Sequence, residues 1–268
     1  MPRDHRRLPS PCGSASHAPV FCPSPTHQEA LARLHFLVAE RRSLGILTGG
    51  DGSGKSLVLA TFLDELPSAQ RPACLVNLWG LEPRDLLREL AAGLYAQPRT
   101  GDDVSSLWQR IGERLRANQL IRLRTVVLLD DADEASHEVL IFVLRLLKSQ
   151  PGGLTLVLAA DPGRLTRLGG DLLQLSQLHI QLEPWERDDV KEYLQSNLAR
   201  AGGGLQGFDD AAVERLYDLS NGVPRWVAHL AELTWLAAAG GCRDFIDAET
   251  VESAYQMLSD SYHAASAG

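Results

Sequence analysis

Cysteine is scarce and scattered in this chain of 268 residues. The four cysteines, Cys12, Cys22, Cys74 and Cys242, form no C-x-x-C pair, so the spacing offers neither a disulfide framework nor a zinc site. Cys74 falls in an apolar run and reads as a small core residue. The eight histidines are dispersed as well, with no H-E-x-x-H. Long hydrophobic runs are also missing: nothing approaches the ~20 apolar residues of a membrane span. Met1 to Pro25 carries arginines but no apolar stretch of the kind a secretory signal needs, which makes the cytoplasm the expected compartment. Basic residues do not dominate. Lys and Arg number 26 against 34 Asp and Glu, a net charge of −8, and that balance argues against a broad basic surface for nucleic acid. What the chain does have is core material. At 44% apolar and 22% charged residues, it can bury a sizeable interior and is not disordered in bulk. Its length suits one large domain, or a core domain with a small companion.

The most informative stretch is Gly49-Gly50-Asp51-Gly52-Ser53-Gly54-Lys55-Ser56. It fits G-x-x-x-x-G-K-[ST], the phosphate-binding P-loop. Leu44 to Thr48 leads in as a short buried strand, and Ser56 to Leu66 follows as a helix. Four glycines within six positions let backbone N–H groups turn toward an anion without Cβ clashes. The helix starting near Gly54 adds its positive end and free N–H groups. Lys55 has the reach for β- and γ-phosphates, and the Ser56 hydroxyl suits Mg²⁺. A glycine-rich turn with no ligand is the bland alternative, and the strand-to-helix setting argues against it. No other metal site is indicated.

Taken in order, residues 1–26 are rich in Pro, Ser, Arg and His and read as a mobile tail. From His27, the apolar residues Ala30, Leu31, Leu34, Leu37 and Val38 sit at helical spacing up to about Arg42. Ala73 to Leu78 reads as a strand, and Glu82 to Tyr95 and Val104 to Gln119 as helices. Thr125 to Leu129 is a continuous apolar strand ending in Asp130-Asp131. Unbroken hydrophobicity suits a strand covered on both faces of a parallel sheet, and its C-terminal end lies where such sheets bind ligands. Asp130 is therefore the candidate to support Mg²⁺, and Asp131 the candidate to polarise an attacking water. Ser136 can cap a helix to Lys148. Leu154 to Ala160 and Leu178 to Leu182 are the remaining strands. This alternation predicts a doubly wound parallel sheet. After Pro184 the pattern turns helical: Asp188 to Ala201, Asp209 to Leu219, Pro224 to Ala239 and Asp247 to Leu258. The expected division is a tail at 1–26, a nucleotide-binding core at 27–184, a helical lid at 185–260 and a frayed end at 261–268.

Five stretches together resemble the AAA+ ATPases of the ExeA/GspA type and their relatives among transposition ATPases. They are Pro23 to Leu34, the P-loop, Leu128 to Ala135, Leu156 to Pro162, and Ser220-Asn221-Gly222-Val223-Pro224-Arg225, over roughly residues 22 to 258. The resemblance implies an α/β P-loop NTPase: a three-layer core around a parallel five-stranded sheet, followed by a small helical lid. It also implies that Arg225 senses the γ-phosphate from the lid, a task suited to a bidentate guanidinium. A surface arginine after a turn proline is the alternative reading. The chain departs from the family at several positions. Asp130-Asp131 stands where Asp-Glu is usual, so Asp131 is one methylene short; Glu134, three residues on, is a candidate substitute, with a cap or an exposed residue as the favoured reading. Asp161 stands where relatives often have a polar amide. Gln177-Leu178 replaces Gln-Arg, which leaves Arg164 and Arg167 as nearby candidates for an arginine finger acting on a neighbouring subunit.

The expected activity is Mg²⁺-dependent ATP binding and hydrolysis. Asp131, Lys55 and Arg225 are the catalytic candidates. Gly49, Gly50, Asp51, Gly52, Ser53, Gly54, Lys55, Ser56 and Arg225 are expected to bind ATP, with Ser56 and Asp130 at the metal. No guanine-reading N-K-x-D is present. A nucleotide-dependent binding switch with little turnover is the first alternative. The others are a DNA-associated transposition-type regulator and, last, a small-molecule kinase. Expected partners are further copies of the chain or another protein, with DNA less favoured.

Overall fold

Five buried runs pair into one sheet: β1 (Leu44–Gly49), β2 (Ala73–Asn77), β3 (Thr125–Asp130), β4 (Leu154–Ala160) and β5 (Leu178–Leu182). Their order is β2-β3-β4-β1-β5, and every neighbouring pair is parallel. The computed structural model describes residues 24–67, 72–150, 152–201, 207–238 and 245–266. Strands β1, β3 and β4 are buried along their whole length, the continuous hydrophobicity of strands with helices on both faces. The edge strands alternate instead.

Strand periodicity sorts the core into two halves. Val127 and Leu129 of β3, with Leu156 and Leu158 of β4, face α3 (Pro83–Gly93), α4 (Val104–Leu120) and α5 (His137–Ser149). Val126, Leu128 and Val157 face the other way, against α1 (Pro25–Ala39) and α2 (Lys55–Glu65). The doubly wound parallel sheet expected from the alternation, and the three-layer five-stranded core implied by the resemblance, are therefore the fold observed. Each fully buried Leu or Phe in it contributes about 1.5–3 kcal/mol relative to exposure. Phe62, fully buried on α2, is a single change that would break this face, since truncation to Ala typically costs about 3–5 kcal/mol.

Helix starts follow local chemistry. Ser24 accepts from the His27 N–H, with Pro25 in the first turn. Asp103, Ser136 and Asp209 cap α4, α5 and α8 (Asp210–Ser220) in the same way, and Ser136 was legible as a cap from sequence. Helix α1 begins at Pro25, and the expected tail up to residue 23 lies outside the described residues. At the far end of the sheet, Arg124 donates to Thr155 Oγ1 at 2.6 Å and to the carbonyls of Arg42, Gly152 and Leu154.

Several elements were not legible in advance. Between β4 and β5 lie a 3₁₀ segment, Pro162–Leu168, and α6 (Gly170–Leu175). After β5 come the four helices that the sequence does predict, α7 (Arg187–Ala201), α8, α9 (Pro224–Ala238) and α10 (Ala248–Ser266), the last of which runs on rather than stopping near Leu258. Their core of Trp185, Val190, Leu216, Val227, Leu230, Ile246 and Val251 is separate from those of the sheet. This part is not wholly helical: β6 (Gly207–Phe208) pairs in parallel with β7 (Phe245–Ile246). Strands of two residues are too short to show any period.

Candidate functional site

The P-loop connects β1 to α2, and its glycines have identifiable reasons to be glycine. Gly52 and Gly54 hold φ of 77° and 95°, a region where a Cβ is strained. A Cβ on Gly54 would lie 2.7 Å from His27 Nε2, and one on Gly52 would lie 2.9 Å from Arg225 Cβ and 3.0 Å from Val223 Cγ1. The loop is thus approached closely from α1 on one side and from the helical subdomain on the other. Inside it, Lys55 Nζ donates to the carbonyls of Gly49 at 2.7 Å and Gly50 at 3.1 Å.

Arg225, at the start of α9, reaches this loop from the helical subdomain. Its backbone N–H donates to the Gly52 carbonyl at 3.1 Å. Its Nη1 lies 2.9 and 3.0 Å from the two carboxylate oxygens of Asp51. The Arg225 and Asp51 side chains are 64% and 85% exposed, so this is a solvent-screened pair that adds little to stability. Its interest is positional: residues 174 apart in sequence meet at the phosphate-binding loop.

The third component is the end of β3. Asp130 is buried, accepts from the Asp131 N–H at 3.0 Å and is hydrogen-bonded by the Ser56 side chain. Burial first, and then the neighbouring Asp131 charge, push its carboxyl above the usual carboxylate range, against the lowering effect of the Ser56 bond. Asp131 sits in the left-handed region, φ 50° and ψ 42°. There it accepts from Asn77 Nδ2 at 2.7 Å. The register of β2 on β3 sets Asn77 beside Asp130, and Asn77 Oδ1 accepts from the Trp79 N–H at 2.8 Å. That second bond fixes which way the amide faces.

The positions where the chain departs from the ExeA/GspA pattern it resembles form a separate network. Asp161 Oδ1 accepts from the Gly163 N–H at 2.8 Å, and the Asp161 N–H donates to Asp133 Oδ1 at 3.1 Å. Its carboxylate therefore caps its own 3₁₀ segment. Arg164 pairs with Asp133 at 2.9 Å and with Glu134. Arg167 pairs with Glu134 at 3.2 Å and donates to the Asp133 carbonyl. Glu134 is thus an ion-pair partner, neither a cap nor a freely exposed residue. Both arginines are engaged within their own chain.

All the site residues expected from sequence cluster at the C-terminal edge of the sheet. Sequence reasoning missed Asn77 and His27. Asn77 had a signal: a polar residue closing an apolar strand, the same logic that singled out Asp130. His27 had none, because its bond to the Ser53 carbonyl spans 26 residues. Among the described residues, no group of three or more His, Cys, Asp or Glu side chains could hold a metal ion by itself. No helix among them is long and apolar enough to cross a membrane. Cys74 is buried, which pushes its thiol up to about 12, as befits an inert core residue.

A glycine-rich loop between β1 and α2, carboxylates at the end of β3 and an all-parallel β2-β3-β4-β1-β5 sheet define a P-loop NTPase of the AAA+ class. Residues 38–168 match the AAA domain family. The chain is 30% identical over 243 residues to General secretion pathway protein A of Aeromonas hydrophila, covering 87% of this chain and 44% of that protein. Within the AAA+ class this similarity is to the ExeA/GspA type. The chain spans less than half the length of that curated relative. Among solved structures, Cdc6p of Pyrobaculum aerophilum matches with TM-score 0.73 and 19% identity, over 90% of this chain and 69% of that one. Orc1 of Aeropyrum pernix, solved in complex with DNA, matches with TM-score 0.68 and 21% identity, over 88% and 66%. At these identities the solved structures speak for the fold alone.

Proposed function

We propose that the chain is a Mg²⁺-dependent ATPase whose nucleotide cycle moves the helical subdomain against the sheet domain and drives assembly with further copies or a protein partner. One juxtaposition carries the reading. The Ser56–Asp130 pair, with Asp131 next in the chain and bonded to Asp130 through its N–H, and Arg225 meet at a single glycine-rich loop. The donors present suit the nucleotide. Left-handed turns at Gly52 and Gly54 favour inward N–H groups. Ser53 Oγ is buried without a hydrogen-bond partner among the described residues. A hydroxyl beside a carboxylate is the hard oxygen pair that Mg²⁺ takes.

When bound, Mg²⁺ supplies charge neutralisation on the β- and γ-phosphates; Ser56 and Asp130 would hold it. Lys55 redirects its donors from the Gly49 and Gly50 carbonyls to phosphate oxygens. Asp131 orients the attacking water and accepts its proton as the water oxygen bonds to the γ-phosphorus. The bond to the β-phosphate oxygen breaks, and ADP and phosphate leave. Arg225 offers donors to the charge that develops and ties the subdomain to it. Positioning and charge suffice, and no covalent intermediate is required. Preference for ATP and a setting in a secretion pathway follow from similarity to the ExeA/GspA type.

A second reading is a nucleotide-dependent switch with little turnover. Specific observations favour it: Asp131 is short, Asp161 is turned to its own cap, and Arg164 and Arg167 are occupied by Asp133 and Glu134. Steady-state ATP hydrolysis across a protein-concentration series, with Lys55→Ala and Asp131→Asn alongside, separates the two. Activity per molecule that rises with concentration and disappears in both variants supports an assembling ATPase. Tight Mg²⁺-dependent ATP binding without turnover at any concentration leaves the switch.

A further inference from the structure

His27 is a buried imidazole, 3% exposed, that the chemistry above does not use. Its Nε2 lies 2.9 Å from the Ser53 carbonyl, immediately before Gly54-Lys55-Ser56. Its Nδ1 lies 2.9 Å from Ser24 Oγ. The same nitrogen accepts a longer bond, 3.4 Å, from the indole N–H of Trp185, and the two rings meet edge to face at 6.0 Å. These partners settle the tautomer. A carbonyl only accepts and an indole N–H only donates, so Nε2 carries the hydrogen and Nδ1 is bare. Burial lowers the imidazole's pKa, against the raising influence of the Ser53 carbonyl and Asp189, which agrees with a neutral ring.

Trp185 stands at the joint between the two parts of the chain. It follows β5 by three residues and is buried in the core of the helical subdomain. Its backbone N–H donates to the Gly222 carbonyl at 2.7 Å, and three residues later the Arg225 N–H donates to Gly52. The contacts close a ring: Ser53 to His27, His27 to Trp185, Trp185 to Gly222, then through Arg225 back to Gly52. One side of that ring is the established approach of Arg225 to the loop. The other runs beneath the loop and depends on a side chain with a donor and an acceptor on opposite edges.

We infer that His27 is a positioning residue that locks the phosphate-binding loop to the joint at Trp185, so that loop conformation and subdomain orientation change together. The inference rests on the ATPase reading for its functional consequence, but not for the lock itself. Gln can replace the Nε2 donor yet offers no acceptor in the place of Nδ1. It separates the two halves of the role, as Trp185→Phe does from the other side by removing the indole N–H.

Two measurements on the full chain test it. In urea melts without nucleotide, His27→Gln and Trp185→Phe are expected to be non-additive, the double variant being little worse than the poorer single one. Strict additivity overturns the lock, whatever nucleotide does. With ATP and Mg²⁺, His27→Ala is expected to weaken ATP binding about tenfold. His27→Gln should keep affinity within about twofold of the parent but lose about fivefold in kcat, matching Trp185→Phe. Gln as weak a binder as Ala, or Gln with unchanged kcat, overturns the positioning role. A parent chain that binds no ATP fails the ATPase reading instead, and the lock is then judged on the urea cycle alone.

Discussion

The side-chain amide of Asn77 donates to the carboxylate of Asp131 across 2.7 Å, from the edge strand β2 to the residue just beyond β3. A carboxylate one methylene shorter than glutamate gains orientation from a fixed neighbour, and Asn77 is itself fixed by the Trp79 N–H. Asn77→Ala is therefore expected to lower kcat for ATP by about tenfold, with nucleotide affinity within twofold. Pre-steady-state turnover beside equilibrium titration checks this. An unchanged kcat would show that Asp131 needs no such support.

Arg225 and Asp51 invite a pair of variants with opposite readouts. Arg225→Ala removes the guanidinium donors, though not the backbone N–H bonded to Gly52, and is expected to raise the apparent KM for ATP about tenfold. Asp51→Ala removes the same contact from the other side but leaves the arginine. Because the pair is exposed, the expected change in unfolding stability is under about 1 kcal/mol. Parallel kinetics and urea melts on the two variants would reveal whether the arginine matters for the nucleotide or only for docking the subdomain.

Gly222 makes the sharpest stability prediction. Its φ is +66°, and a Cβ there would lie 2.1 Å from the Trp185 carbonyl oxygen. Gly222→Ala combines backbone strain with a clash against a buried backbone. It is expected to cost more than about 2 kcal/mol. Gly50→Ala is the control: its Cβ would meet nothing within 4 Å, so chemical denaturation should barely distinguish it from the parent.

Asp130 predicts a conflict between stability and function. Burial raises its pKa above the unfolded value. The contribution of such a group is fully present below the unfolded carboxylate range and is lost as pH rises through the folded pKa. As pH rises above the ordinary carboxylate range, this raised pKa therefore works against the folded state. Without nucleotide, Asp130→Asn is expected to raise Tm by about 2–4 °C at pH 7, a gain that fades toward pH 4. Thermal melts across that range decide it. Added ATP with Mg²⁺ should reverse the order, by stabilising only the parent chain.

The sequence alone determined the α/β class, the parallel strands and the glycine-rich P-loop between β1 and α2. Each depends on a local property: apolar runs without alternation for β1, β3 and β4, helical spacing for α1 and α5, glycines with Lys55 and Ser56 for the loop. Those signals lie within a few residues of one another, so a single pass along the chain reads them. The tertiary structure alone decided that His27 sits under the loop, that Asn77 holds Asp131, and that Arg164 and Arg167 close on Asp133 and Glu134. These contacts span 26, 54 and about 30 residues. Strand register and the docking of one core on another set them. No local periodicity encodes which polar side chain will face which when two buried surfaces meet.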